Sequence, residues 1–294
     1  MDASADPTAV ICHDAGAANI VIEALRAAPP GRRFIVFMQG PALGIWQRDP
    51  VPGAVVADNL EEALATARFI VTGTGWASSL EHDARVLALL RGIPQAAVID
   101  HWVNYRERFE RGGITVLPGE LWVTDAYAAA EAHKVFPGHD VRRIPNFYLR
   151  RTVEGIASPP VAPRVLYLLE PLRYPWQGLS QPGEFEALDF FVRNLATLGL
   201  QGAPLRLRAH PSDPAGKYNT WIHQHAPPGT CMDTSPSLSA ALSWASWAAG
   251  CETMALAVAL EAGRRVVSTL PPAAPPCRLP HEGILHLRGM PGAT

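Results

Sequence analysis

The chain has 294 residues, 48% of them hydrophobic and 18% charged, with a formal net charge of −2 and a pI near 6.5. That is enough apolar material for one large domain or two ordinary ones. The near-neutral balance excludes a global basic field that would draw in nucleic acid or an anionic membrane.

A polyanionic ligand would therefore have to be held by local groups. The four cysteines (Cys12, Cys231, Cys251 and Cys277) form no CxxC pair and no zinc spacing. Residues 1–8 carry two aspartates and no apolar run of the kind a secretory signal needs. Reduced thiols, a cytoplasmic location and the absence of metal or cofactor are the expectation.

In chain order, short β-branched runs alternate with helical stretches. The first half predicts strands over 9–12, 33–38, 54–57, 69–72, 95–100 and 120–124, with helices over 16–27, 59–67, 78–90 and 127–135. Continuous apolar strands separated by amphipathic helices predict a parallel sheet covered on both faces. This first Rossmann-like unit ends near Asn146. Residues 150–163, RRTVEGIASPPVAP, hold three prolines among small and polar side chains and read as a linker. The rhythm then restarts, with strands over 164–169, 205–209, 246–249 and 265–268 and helices over 184–198, 217–225, 238–244 and 253–262. Two successive α/β units over about 1–150 and 160–294 follow, without a short internal repeat. Residues 237–263 carry only Glu252 and Glu261 as charges and approach the length of a membrane span. The central glutamate and Gly250 favour a buried helix, a short strand and a second helix instead.

Ligands of open parallel sheets bind beyond the carboxyl ends of the strands. The first strand exits into CHDAGAANI, with His13 and Asp14, and the fourth into TGTGWASS, residues 72–79. The fifth exits into DHWVNYRERF, with Asp100 and His101, and the sixth into Thr124 and Asp125. In the second half the exits are EPLRYPW, with Glu170 and Arg173, then His210-Pro211, then Gly250-Cys251-Glu252-Thr253.

Two readings stand for His13 and Asp14. Asp14 is the cap of the helix that follows, or the pair is a general base, with either residue taking the proton. TGTGW lacks the GxGxxG spacing and its downstream acid. Thr74, Gly75 and Trp76 read as close backbone approach to a ligand, with Ser78 capping the next helix. Asp100 and His101 read as cleft-lining, Arg106 and Arg108 as solvated surface. In RLRAHPSD, residues 206–213, the proline ends the strand and restricts His210 to an extended conformation. That holds an imidazole where it can contact a departing phosphate. At GCETMALAVALEAGRRVVS, the backbone N–H groups of Gly250 to Thr253 form an expected anion site at a helix start. Glu252 there suits a ribose hydroxyl pair, a cation, or a plain helix N-terminal acid.

Two Rossmann-like units and a proline-rich linker resemble the GT-B glycosyltransferase plan. R-x-HP followed roughly forty residues later by GCETMALAVALEAGRRVVS is similar to the C-terminal half of bacterial capsule and cell-wall polymer enzymes. These are the sialyl- and Kdo-transferases that use CMP-sugars, and the CDP-glycerol glycerophosphotransferases. The likeness lies mainly in residues 204–270. It implies an α/β fold of two units facing a central cleft, with an N-terminal acceptor domain over 1–150 and a C-terminal nucleotide-donor domain over 160–294. It also implies metal-independent, inverting transfer from a nucleotide-linked sugar, CMP-linked among the options, to a glycan or protein hydroxyl. His210 would then contact the nucleotide phosphate, with Arg173, Pro211, Gly250, Glu252 and Thr253 around it. Asp14 or His13 would deprotonate an acceptor lying near Thr74, Gly75, Trp76, Asp100 and His101.

The sequence departs from these families in three places. The D/E-D/E-G motif of sialyltransferases is absent, their serine pair is represented only by Cys251-Glu252-Thr253, and no final helix returning to the first unit is evident. Two other readings therefore stay open: a nucleotide-sugar hydrolase or 2-epimerase, and a non-catalytic partner in envelope or flagellin glycosylation. No nucleic-acid partner and no transmembrane segment are expected, and peripheral membrane contact stays open.

Overall fold

The computed structural model describes residues 7–293. The chain divides into two units whose boundary falls between Arg150 and Arg151.

The first unit runs β1 (Thr8–Cys12), α1 (Ala15–Arg26), β2 (Phe34–Met38), α2 (Gly40–Arg48), β3 (Val55–Val56), α3 (Leu60–Ala65), β4 (Phe69–Thr72) and α4 (Leu80–Leu90). It continues through β5 (Gln95–Val98), a small hairpin of β6 (Glu110–Arg111) and β7 (Ile114–Thr115), β8 (Glu120–Val123), α5 (Ala126–Val135) and β9 (Asp140–Arg143). Seven strands pair in parallel in the order β3-β2-β1-β4-β5-β8-β9. The alternation of the pleat sends Val10, Val36 and Val71 to the face covered by α1 and α2. Ala9, Ile11 and Ile70 go to the face covered by α3 and α4. Because both faces of the central strands β1, β2, β4 and β5 are buried, these read as largely apolar runs.

The boundary helix α6 (Phe147–Glu154) precedes β10 (Val165–Leu168), α7 (Gly183–Arg193), β11 (Leu205–Arg208), α8 (Asn219–Gln224) and β12 (Cys231–Met232). Then come α9 (Leu238–Trp244), β13 (Trp247–Gly250), α10 (Met254–Glu261), β14 (Arg265–Ser268) and β15 (Ile284–His286). Six strands pair in parallel in the order β12-β11-β10-β13-β14-β15. The core gathers Tyr167, Phe191, Leu207, Trp221 and Trp247. In both units the chain winds outward from its first strand and then reverses. The topological switch points lie between β1 and β4 and between β10 and β13, which is where an open α/β sheet leaves its crevice.

Several elements differ from the sequence expectation. Residues 150–163 are not an unstructured linker, because α6 occupies their first turns. The remainder is laid against the second unit, where the Ala157 N–H donates to Ser243 Oγ at 3.1 Å and the Arg264 guanidinium reaches the Ala157 carbonyl. Helix α2 was hidden by its own Gly-Pro start, although proline suits the first turn of a helix. Strand β9 is an edge strand of sequence DVRR whose single apolar residue leaves no alternation to read. The helix expected to reach residue 198 stops at Arg193. The apolar stretch 237–263 is α9, β13 and α10, and among the described residues no helix is long and apolar enough to cross a membrane.

Candidate active site

At the first switch point, His13 and Asp14 follow β1, and Gly73, Thr74 and Gly75 follow β4. His13 Nδ1 and Asp14 Oδ1 are 2.9 Å apart, with the side chains 18% and 29% exposed. Asp14 holds the N-cap position of α1 but makes no side-chain cap bond. Its carboxylate faces His13 instead, so the capping reading falls away. The glycines of TGTG make room for acids: a Cβ on Gly73 would clash with the Glu81 carboxylate and one on Gly75 with that of Asp14. Gly16, in the first turn of α1, does the same for Asp100.

A carboxyl not singled out from the sequence ties this corner together. Glu81, in the first turn of α4, is 1% exposed. Its Oε1 accepts the His13 N–H at 2.9 Å and its Oε2 accepts the Gly75 N–H at 2.7 Å, so one side chain bridges both loops of the switch point. Burial pushes its pKa up to about 7, and nearby Asp14 adds to the rise. The two N–H bonds work the other way. The available signal was positional: Glu81, Ala84, Arg85 and Ala88 share one helical stripe, and all four are buried. An acid and an arginine four residues apart on an apolar stripe mark a polar pair pointed inward.

Arg108, read from the sequence as solvated surface, is buried. The 3-10 turn Glu107–Phe109 folds it back beneath the loops. It donates to Asp100 Oδ1 at 2.7 Å, Thr74 Oγ1 at 3.1 Å and the Val103 carbonyl at 3.0 Å. Its guanidinium carbon lies 5.2 Å from the centre of the Trp76 ring, and Trp76 is half exposed. Arg108 thus joins Asp100, Thr74 and Trp76. Arg106 behaves as expected, donating to the Val135 carbonyl at an exposed position. His101 is turned along its own loop, where its Nδ1 accepts the Trp102 N–H at 2.9 Å. A neutral His101 ring then carries its proton on Nε2.

In the second unit the loop RLRAHPSD closes on Asp213. This carboxylate has no exposed surface and accepts from Lys217 Nζ at 2.7 Å, Tyr218 OH at 3.0 Å and the His210 N–H at 3.3 Å. Burial opposes its charge, but the Lys217 and Tyr218 bonds prevail and hold its pKa below the usual carboxylate value. With the loop pinned, the Ser212 N–H donates to His210 Nδ1 at 3.2 Å, which places the proton of a neutral ring on Nε2. Ser212 also draws in Arg173, whose Nη2 donates to Ser212 Oγ at 2.9 Å and to the Ser212 carbonyl at 3.1 Å. His210, Pro211 and Arg173 are therefore one corner.

The helix start at Gly250 to Thr253 differs from its expectation as an open anion site. Glu170, which follows β10, places Oε1 2.8 Å from both the Cys251 and Glu252 nitrogens and accepts both N–H groups. Burial pushes the Glu170 pKa up to about 7. Thr253 is the N-cap of α10, its Oγ accepting the Ala255 N–H at 3.3 Å. Glu252 has its cation in Arg278, with Nη2 to Oε1 at 2.5 Å and Nε to Oε1 at 3.1 Å. A Cβ on Gly250 would meet the Leu168 carbonyl oxygen at 2.9 Å, so glycine lets β13 pack closely on β10. Strands β11 and β13 flank β10, so the His210 loop and the Cys251 loop lie on either side of the loop carrying Glu170 and Arg173. Among the described residues no three His, Cys, Asp or Glu side chains group in a way that could hold a metal ion.

No family model matches the chain, and no curated protein matches it either. Solved structures do. The glycotransferase of kitacinnamycin superposes with a TM-score of 0.58 at 17% identity, over 96% of this chain and 86% of its own. UDP-GlcNAc 2-epimerase from Neisseria meningitidis, bound to UDP-GlcNAc, gives 0.59 at 9% identity over 89% and 82%. MurG of Acinetobacter baumannii gives 0.51 at 13% identity over 92% and 80%. The chain has a GT-B-type fold. None of these three GT-B proteins is a sialyl-, Kdo- or CDP-glycerol-type enzyme, so the narrower likeness seen in residues 204–270 is not carried by them.

On this GT-B framework the sequence-predicted residues fall into separate corners. His13, Asp14, Thr74, Gly75, Trp76 and Asp100 meet around Glu81 and Arg108. Arg173, His210 and Pro211 meet around Ser212, while Gly250, Glu252 and Thr253 surround Glu170.

Proposed function

We propose that the protein transfers a sugar from a nucleotide-linked donor to a hydroxyl acceptor, with inversion and without a metal. The observation that carries this reading is the His13–Asp14 pair, held 2.9 Å apart and partly exposed at the first switch point. The acceptor hydroxyl faces Asp14, which takes its proton, and His13 keeps the carboxylate oriented. The acceptor oxygen forms the new bond to the anomeric carbon as the bond from that carbon to the donor phosphate oxygen breaks. The electron pair leaves on phosphate. His210, through Nε2–H, and Arg173 offset that charge, the part a metal ion plays elsewhere. Trp76 offers a half-exposed ring beside the acceptor. The UDP-GlcNAc held by the epimerase of the same fold supports a nucleotide-sugar donor.

The test is a thermal-shift panel of CMP, CDP, UMP, UDP, GDP and TDP on the wild type, His210→Ala and Asp14→Asn. One nucleotide should raise the melting temperature of the wild type and of Asp14→Asn, and leave His210→Ala unmoved. The matching nucleotide sugar should then release nucleotide only when a glycan acceptor is present. No shift with any nucleotide overturns the reading. Release that ignores the acceptor replaces transfer with hydrolysis or epimerisation.

A further inference from the structure

At the amino end of the first sheet, opposite to His13 and Asp14, a groove of about 480 Å³ opens between α1 and the strands. Thr8, Phe34, Phe69 and Glu120, the first residues of β1, β2, β4 and β8, lie along it. Register explains its floor. Val98, Trp122 and Arg142 are paired neighbours on β5, β8 and β9 and point to the α1 face. Helix α5 packs on the opposite face of those strands, against Ala97, Leu121 and Val123. The α1 face of β5 and β8 is thus an apolar surface flanked by α1. Leu25 on α1 forms the wall, and Phe69, Val71, Val98 and Trp122 form the floor.

The rim is cationic. Arg32, Arg68 and Arg142 line the groove against a single carboxylate, Glu120, which accepts the Trp122 Nε1–H at 2.7 Å. Arg142 lies 5.9 Å from the Trp122 ring centre, at the border between floor and rim. The volume falls in the range of small-molecule pockets, roughly 300–1,000 Å³. A docked helix fits less well, since two turns of one fill roughly 850 Å³.

We infer that this groove binds a single-chain anionic amphiphile, its hydrocarbon against the half-buried rings of Phe69 and Trp122 and its phosphate or carboxylate head at Arg68 and Arg142. The site is separate from both switch points and does not rest on the transfer reading.

Calorimetric titration of the full chain with octyl phosphate and decyl phosphate tests it, with inorganic phosphate and octyl maltoside as controls. The decyl compound should bind several-fold tighter than the octyl, because each buried methylene adds to the affinity. Inorganic phosphate and octyl maltoside should bind at least ten-fold more weakly than octyl phosphate. Arg142→Glu, an exposed change that leaves the core intact, should weaken octyl phosphate at least ten-fold. Ala24→Phe, which fills the groove from α1, should abolish binding. Asp14→Asn and His210→Ala should bind the probe as the wild type does, so failure of the transfer reading leaves this result standing. Equal binding of maltoside and phosphate amphiphiles, indifference to chain length, or full affinity in Ala24→Phe would each overturn the inference. So would the absence of any binding.

Discussion

The two switch points are built on the same strand order and closed by the same kind of side chain, yet they present different chemistry. Each holds a glutamate, buried in the first unit and partly buried in the second, that accepts two backbone N–H groups and has its pKa raised to about 7 chiefly by desolvation. In the first unit that acid is Glu81, which comes from α4 and reaches across, taking one N–H from each of two loops. In the second it is Glu170, which stands on the loop after the first strand of that unit and takes both N–H groups from the β13–α10 loop. Glu81 therefore locks two loops together and leaves Asp14 as the accessible acid. Glu170 instead fills an anion pocket and leaves Arg173, with its side chain 51% exposed, as the accessible cation. Shared topology supplies a crevice, and the side chains that satisfy its loops decide whether the crevice offers a base or a cation.

The largest expected effect comes from removing the charge that distinguishes the first corner. Asp14→Asn should lower acceptor-dependent nucleotide release by about 100-fold or more, the range for loss of a general base. Its melting temperature should stay near that of the wild type. Release at more than a tenth of the wild-type rate would shift the base to His13.

The feature the two corners share predicts a pH dependence of stability. Both glutamates have folded-state pKa values raised from 4.5 to about 7, so between those values the native state binds more protons than the unfolded chain. Their contribution is fully present below about pH 4.5 and is lost as pH rises through about 7, on the order of 3 kcal/mol for each group. Urea unfolding at pH 5, 6, 7 and 8 measures it. The double variant Glu81→Gln/Glu170→Gln should flatten this slope, and an unchanged slope would mean that neither group carries it.

Glu81→Ala separates the corners next. It strips the partners from two N–H groups, and the Gly75 bond is buried, so the loss should be about 2 kcal/mol by urea unfolding at pH 8. Glu170→Ala should cost less, because its N–H groups face a loop whose Glu252–Arg278 pair is partly exposed. The smallest effect is the most diagnostic: Glu170→Ala should bind the stabilising nucleotide several-fold more tightly, since two N–H donors are freed for its phosphate. Weaker binding would show that Glu170 supports the donor site rather than occupying it.

The legible part of this molecule was what is local in sequence. Runs such as 69–72 and 265–268 are legible at the bounds the structure shows, because the centre of each, Ile70–Val71 and Val266–Val267, is buried and apolar. The polar residues after those runs marked both switch points, since parallel strands deliver their carboxyl ends to one edge. Elements without such a signature were missed: α2 behind its Gly-Pro start, and β9 with one core-facing residue in four. Among the candidate residues, His13, Asp14, Asp100 and His210 are legible because they lie within two residues of a strand end, and Arg173 because it sits in the loop after β10. Arg108 is not, because its burial depends on a 3-10 turn that brings it to Asp100 and Thr74.

By itself, then, the sequence determined the two parallel α/β units, the polar residues that gather at the strand exits, and the extended conformation that Pro211 imposes on His210. Tertiary structure alone decided what each exit faces. Glu81 meets the N–H of His13 across 68 residues, and Glu170 meets that of Cys251 across 81. No periodicity encodes such a pairing. It follows from which loops the strand order brings side by side, and from the cost of leaving a buried N–H or carboxylate unsatisfied once they meet.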